Sequence, residues 1–166
     1  FTIANNGTKG SWGSATVSGG DVVVSNSVTL GSSSNCWGTL AMSGGTLEAG
    51  YISLGNLGVG NFAQSNGTVL SRGNLALGST ASGTGTLSVA GGETTIRGNV
   101  QVSSYGYGSL AVSGGTLAIS NTLSFGQYTN STAFGSFAGG TVLVKGTGSH
   151  DWGAKGVTQI AISGGT

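Results

Sequence analysis

Any chemistry in this chain must come from a small stock of side chains. The 166 residues include one histidine, one cysteine, four carboxylates and five basic residues. The densest group is Ser149-His150-Asp151-Trp152, with Lys145 and Lys155 beside it. Serine, histidine and aspartate are the residue types of nucleophilic acyl transfer, which also needs an oxyanion site and convergence of all three groups. Neighbours on one strand point to opposite faces, so His150 and Asp151 are poorly placed as a pair. No catalytic residue is assigned. Together with Trp12, the run His150, Asp151 and Trp152 is instead a candidate ligand or contact patch, weighed against the plainer reading of a surface loop.

Metal chemistry finds less support. Asp21, Glu48, Glu93 and Asp151 do not recur at a fixed period, as the ligands of Ca²⁺-binding repeats would. The paired carboxylates of glycoside hydrolysis have no obvious counterpart. No metal and no cofactor is expected. Cys36 is alone, which rules out an internal disulfide, and is expected to be a small buried apolar residue. Lys9, Arg72, Arg97, Lys145 and Lys155 are scattered, whereas a nucleic-acid footprint clusters its cations. No apolar run approaches the roughly 20 residues of a membrane helix.

The elements that would position these residues are easier to read. Glycine is abundant at 35 residues, proline is absent, and charged residues make up only 5%. A Ser-Gly-Gly-like corner recurs, its last residue being Gly20, Gly45, Gly67, Gly92, Gly115, Gly140 and Gly165. The intervals are nearly even, at roughly 22–25 residues, within the range of solenoid repeats. Aligned on that residue, apolar side chains fall into columns. Five positions before it stand Leu40, Phe62, Leu87, Leu110 and Ile160, and three before it Val17, Met42, Val89, Val112 and Ile162. Two and four positions after it come pairs such as Val22/Val24, Leu47/Ala49 and Leu117/Ile119. A third pair follows in five coils, as Val28/Leu30, Ile52/Leu54, Leu75/Leu77, Val100/Val102 and Leu123/Phe125.

Each pair is separated by one residue, the signature of a strand with one buried face. Three short strands per coil, turning at glycines that tolerate positive φ, make a parallel β-helix solenoid of about seven coils. Missing proline fits, because every strand must donate to its neighbours. Coils stacked about 4.8 Å apart would form a rod roughly 34 Å long with a dry, aliphatic core. Residues 1–166 are read as a single solenoid segment.

Units such as GTLAMSGGTLEAGYISLG and GSLAVSGGTLAISNTLSFG resemble the Gly/Ser/Thr-rich β-strand repeats of autotransporter passenger regions and of large repetitive bacterial surface proteins. The resemblance covers nearly the whole chain. It implies a right-handed β-helix, secretion to the cell surface or beyond, and a scaffolding or adhesive role. It brings no catalytic residue with it.

The ends carry the remaining expectation. Placed directly after Thr166, Phe1 falls in the column two after the corner and Ile3 in the column four after it, and the wrapped coil is close to normal length. Neither end shows a charged cap or a proline, and solenoid ends need covering. Phe1, Ile3, Ile160, Ile162 and Thr166 are therefore expected to form an assembly interface between identical subunits stacked head to tail. The segment then reads as one period or one subunit of a longer fibre. The function expected is structural, in an extracellular fibre or cell-surface layer, and not enzymatic. The alternative is an adhesin-type module that binds surface polysaccharide. The irregular corner Asn5-Asn6-Gly7-Thr8-Lys9 would meet the Ser149–Trp152 run across the joint.

Overall fold

A computed structural model describes residues 1–5, 10–153 and 155–165. Thr166 and most of the irregular N-terminal corner, residues 6–9, lie outside the described residues. Within them the chain is all-β, without a helix. Its strands in chain order are β1 (Thr2–Ile3), β2 (Ser11–Val17), β3 (Asp21–Leu30), β4 (Cys36–Met42), β5 (Thr46–Leu54) and β6 (Val59–Gln64). They continue as β7 (Thr68–Ser71), β8 (Leu75–Leu77), β9 (Thr84–Val89), β10 (Glu93–Ile96), β11 (Val100–Val102) and β12 (Tyr107–Val112). The last are β13 (Thr116–Ile119), β14 (Leu123–Phe125), β15 (Thr132–Phe137), β16 (Thr141–Val144) and β17 (Val157–Ile162).

All pairings are parallel, each strand to its equivalent in the next coil, which defines a β-solenoid. The strand before each glycine corner stacks as a seven-stranded sheet, β2-β4-β6-β9-β12-β15-β17. The strands after the corner form a second, ten-stranded sheet. The position directly after the corner is filled six times, by β3, β5, β7, β10, β13 and β16, so the chain makes about six complete turns.

The columns read from the sequence are the registers of the ladders. Leu40 pairs with Phe62, Phe62 with Leu87, Leu87 with Leu110 and Gly135 with Ile160. Leu117 pairs with Val142, and Val100/Val102 with Leu75/Leu77 and Leu123/Phe125. Alternation on these pleats sends one set of side chains into the tube. Leu40, Leu87, Leu110, Met42, Val89 and Val112 are buried in one continuous core, and Cys36 is buried too.

The corners are what glycine alone allows. Gly45 has φ +78°, and a Cβ there would stand 2.5 Å from the carbonyl oxygen of Gly20 in the coil before. Gly92 repeats the arrangement at φ +78°, with the Gly67 oxygen closer still. Each such corner is also tied to its neighbour: the Thr46 N–H donates to Gly20 O and the Thr116 N–H to Gly92 O.

Two expectations need correction. Three separate strands per coil hold for the middle coils, but in the first two coils the second and third strands merge into β3 and β5. There the ladder carries a register shift between Val24 and Ser27. Two sheets result, because Gly73-Asn74 and Gly98-Asn99 interrupt the strand only in the later coils. The core is also not wholly aliphatic. Gln64, Ser71 and Thr94 occupy core columns and are buried. They satisfy one another and the corners: Gln64 Nε2 donates to Gly67 O at 3.0 Å and Glu93 O at 3.2 Å, and Thr94 Oγ1 donates to Gln64 Oε1. Ser71 Oγ bonds the carbonyls of Gly73 and Asn74 at 3.2 and 3.3 Å. Burial of such groups is tolerable only with partners of this kind.

Candidate functional site

The Ser149–Trp152 run is more regular than its sequence suggests. Trp152 forms a parallel bridge with Phe125, so the run follows the third-strand path and does not abandon it. The Phe125 N–H donates to Asp151 O at 2.8 Å, and the Gly153 N–H to Phe125 O at 2.8 Å. The Trp152 ring packs on the Phe125 ring, with centroids 5.7 Å apart and an interplanar angle of 36°.

His150 repairs the ladder beside this bridge. In earlier coils the N–H that opens each third strand finds a backbone carbonyl, as Leu75 N–H finds Asn99 O and Val100 N–H finds Thr122 O. The equivalent N–H of Leu123 instead donates to His150 Nδ1 at 3.2 Å. His150 Nε2 lies 3.3 Å from Gly146 O. A carbonyl only accepts, so Nε2 carries the proton and Nδ1 is the acceptor. Both ring nitrogens are thereby engaged with backbone. Asp151 is exposed, and among the described residues no group of three or more His, Cys, Asp and Glu could hold a metal ion.

The four patch residues are not brought together within one chain. Trp12 lies in β2 on the first rung of the seven-stranded sheet, and His150, Asp151 and Trp152 lie at the other end of the tube. Trp12 stacks on Trp37 of the next rung, centroids 4.8 Å apart, and is itself strongly exposed. A Tyr105–Tyr128 pair escaped the sequence reading, although the two tyrosines lie one coil apart along the chain. These rings stack at 4.3 Å and 3° on a corner, and both are exposed.

The end residues fall into two groups. Ile160 and Ile162 are on β17, the last rung of the seven-stranded sheet, in the columns anticipated for them. Phe1 and Ile3 are not. Thr2 pairs with Thr29 and Ile3 with Leu30, so β1 lies in the third-strand column and not in the column directly after the corner. Backbone pairing with a complete neighbouring strand decides the position, and short periodicity could not distinguish two columns of the same phase. Leu30 and Phe125 stand at the tenth place past their corner glycines. In that numbering Phe1, Thr2 and Ile3 occupy places eight to ten, not the places directly after a corner glycine. A direct Thr166-to-Phe1 join is therefore out of register by one strand.

The most exposed large apolar side chains mark both ends. Those more than half exposed are Phe1, Trp12, Val23, Trp152, Val157 and Ile162, from 52% at Phe1 and Trp152 to 78% at Trp12. Every one lies on the first or last rung of its ladder, but only Phe1, Trp152 and Ile162 stand in inward-facing columns, whereas Trp12, Val23 and Val157 belong to outward-facing columns of the flank. Beneath Ile162 and beside Trp152 the tube opens into an apolar cavity of about 240 Å³.

Fold and site together define a parallel β-solenoid of about six turns with two parallel sheets. Compared with known proteins, the chain matches no family model, no curated protein and no solved structure.

Proposed function

We propose that this chain is a structural segment of an extracellular fibre or cell-surface layer, whose solenoid ends meet the ends of identical subunits. The observation that carries the reading is the confinement of the most exposed large apolar side chains to the first and last rungs. On a chain with nine charged side chains, the inward-facing Phe1 at one end rung and Trp152 and Ile162 at the other favour covering by another ladder. Head-to-tail contact of this kind generates an open filament. In such a stack Trp12 of one copy follows Val157 of the copy before it, since both belong to one column through Trp37, Val59, Thr84, Tyr107 and Thr132. The resemblance to autotransporter passenger repeats supports a surface or extracellular place. With both His150 nitrogens bound to backbone, the reading is non-enzymatic.

Sedimentation velocity over a concentration series tests it. Growth in size with concentration is expected, and Ile162→Lys should abolish it while leaving the melting of the coils nearly unchanged. A wild-type chain that stays monomeric throughout would refute the reading.

A second reading is an adhesin-type module for surface polysaccharide. The exposed, parallel Tyr105 and Tyr128 rings favour it, because flat aromatic faces suit sugar rings. A glycan array with wild type and Tyr105→Ala separates the two readings, since only the second expects a signal that the substitution removes.

A further inference from the structure

Histidine is the one side-chain type whose ordinary charge change falls between about pH 5 and 8, and this chain has a single histidine. Both nitrogens of the partly buried His150 ring are bound to backbone: the Leu123 N–H donates to Nδ1 at 3.2 Å, and Nε2 donates to Gly146 O at 3.3 Å. The first bond takes the place of a ladder bond. In the two coils before, the N–H groups that open the third strand, those of Leu75 and Val100, donate to the carbonyls of Asn99 and Thr122, which carry no titratable group. Only the neutral ring can hold both bonds, because imidazolium has a hydrogen on each nitrogen and no acceptor.

We propose that His150 is a pH-sensitive latch between the segment joining β16 to β17 and the coil beneath it, closed while the imidazole is neutral and released by a proton on Nδ1. The proton comes from solvent and lands on the atom that accepts from Leu123. Two N–H groups then face each other at the opening of β14, and the ring must withdraw to give the Leu123 N–H another partner. Two residues further on, the same segment is held by the Trp152–Phe125 bridge, through Asp151 O and the Gly153 N–H. Withdrawal of His150 therefore frees the start of the run and leaves the bridge as its remaining attachment.

The surroundings offer the protonated ring no placed counter-charge. Residues 119–125 beneath it contain no titratable side chain, and neither does β17. Lys145 and Asp151 lie on its own segment, Lys155 follows it, and Arg97 stands two coils before Lys145 in the same column. Asp151 is exposed, and among the described residues the only ion pair is that of Arg72 with Glu48. The contribution of the Leu123 bond is thus present while the ring is neutral and is lost as the pH falls through the histidine range. The latch works within one chain and stands apart from the fibre reading.

Amide hydrogen exchange of the full chain, followed by NMR from about pH 8 down to about pH 5, tests it. Exchange at Leu123 is read as a ratio to exchange at Val100, whose acceptor is the Thr122 carbonyl, so that the intrinsic pH dependence of exchange cancels. The ratio is expected to rise about fivefold on acidification, roughly the worth of one hydrogen bond. It should stay level in His150→Asn, whose amide oxygen does not titrate. The imidazole nitrogen shifts give a second readout: at the alkaline end Nδ1 should be bare and Nε2 protonated. A level ratio in the wild type, an equal rise in His150→Asn, or the opposite tautomer at the alkaline end overturns the proposal.

Discussion

Val17 and Ile162 occupy the two ends of one column, joined rung by rung through Met42, Gln64, Val89, Val112 and Phe137. Val17 is 9% exposed and Ile162 is 71% exposed. Both are aliphatic, both face the tube, and both lack a rung beyond them in their own sheet. The difference lies across the tube. Opposite Val17 the strand after the corner is present at the same level, and β1 adds a third-strand rung one level further out, with Ile3 buried over the mouth. Ile162 projects one rung beyond both other ladders. A solenoid core is therefore closed by the completeness of a turn and not by the hydrophobicity of any one strand.

The comparison breaks most sharply by truncating side chains in the middle and at the end. Leu110→Ala, in the buried middle of the tube, should cost about 2–5 kcal/mol. Ile162→Ala should change monomer stability by less than about 0.5 kcal/mol, as an exposed site does, while reducing self-association. Urea unfolding of dilute protein measures both, and similar costs for the two would contradict the open end.

Next in size is the polar interruption. Thr94→Val removes the donor to Gln64 Oε1 inside the tube and should cost about 1–3 kcal/mol, the penalty of a buried acceptor left unpaired. Adding Gln64→Leu to Thr94→Val should recover most of that loss. A double variant no better than the single would show that the pair is not an isolated repair of the aliphatic column.

His150 sharpens the account of the last coil. Loss of its acceptor in His150→Leu should cost about 1 kcal/mol and speed hydrogen exchange at the Leu123 amide. His150→Asn, whose Oδ1 can stand near the place of Nδ1, should retain more protection than the leucine variant. Equal exchange in all three proteins would remove His150 from the ladder.

The smallest effect is expected on the flank. Glu48 and Arg72 form an exposed cross-coil ion pair, with Arg72 Nη2 2.5 Å from Glu48 Oε1. Arg72→Ala should cost no more than about 0.5 kcal/mol and less still in high salt, as surface pairs do.

Much of this architecture is legible in the sequence because a solenoid repeats its constraints. Seven nearly evenly spaced corners fix the coil, and period-2 apolar pairs fix which side chains enter the tube, so the registers of Leu40, Leu87 and Leu110 follow without coordinates. Column membership at the ends is not legible in that way. Ile3 has the right phase for two different columns, and only pairing with Leu30 selects one. The role of His150 is hidden for a related reason: an imidazole that stands in for a backbone carbonyl has no periodic counterpart. Gln64 and Thr94 read as errors in their columns until the coil brings them, distant along the chain, to adjoining walls of the tube.

The central claim is that the solenoid continues through its ends. Electron cryomicroscopy of the concentrated protein tests it most directly. The account predicts unbranched filaments whose parallel strands keep a spacing of about 4.8 Å across every joint. Monomers with both end rungs bare to solvent, or assemblies that meet through the flank carrying Tyr105 and Tyr128, would contradict it.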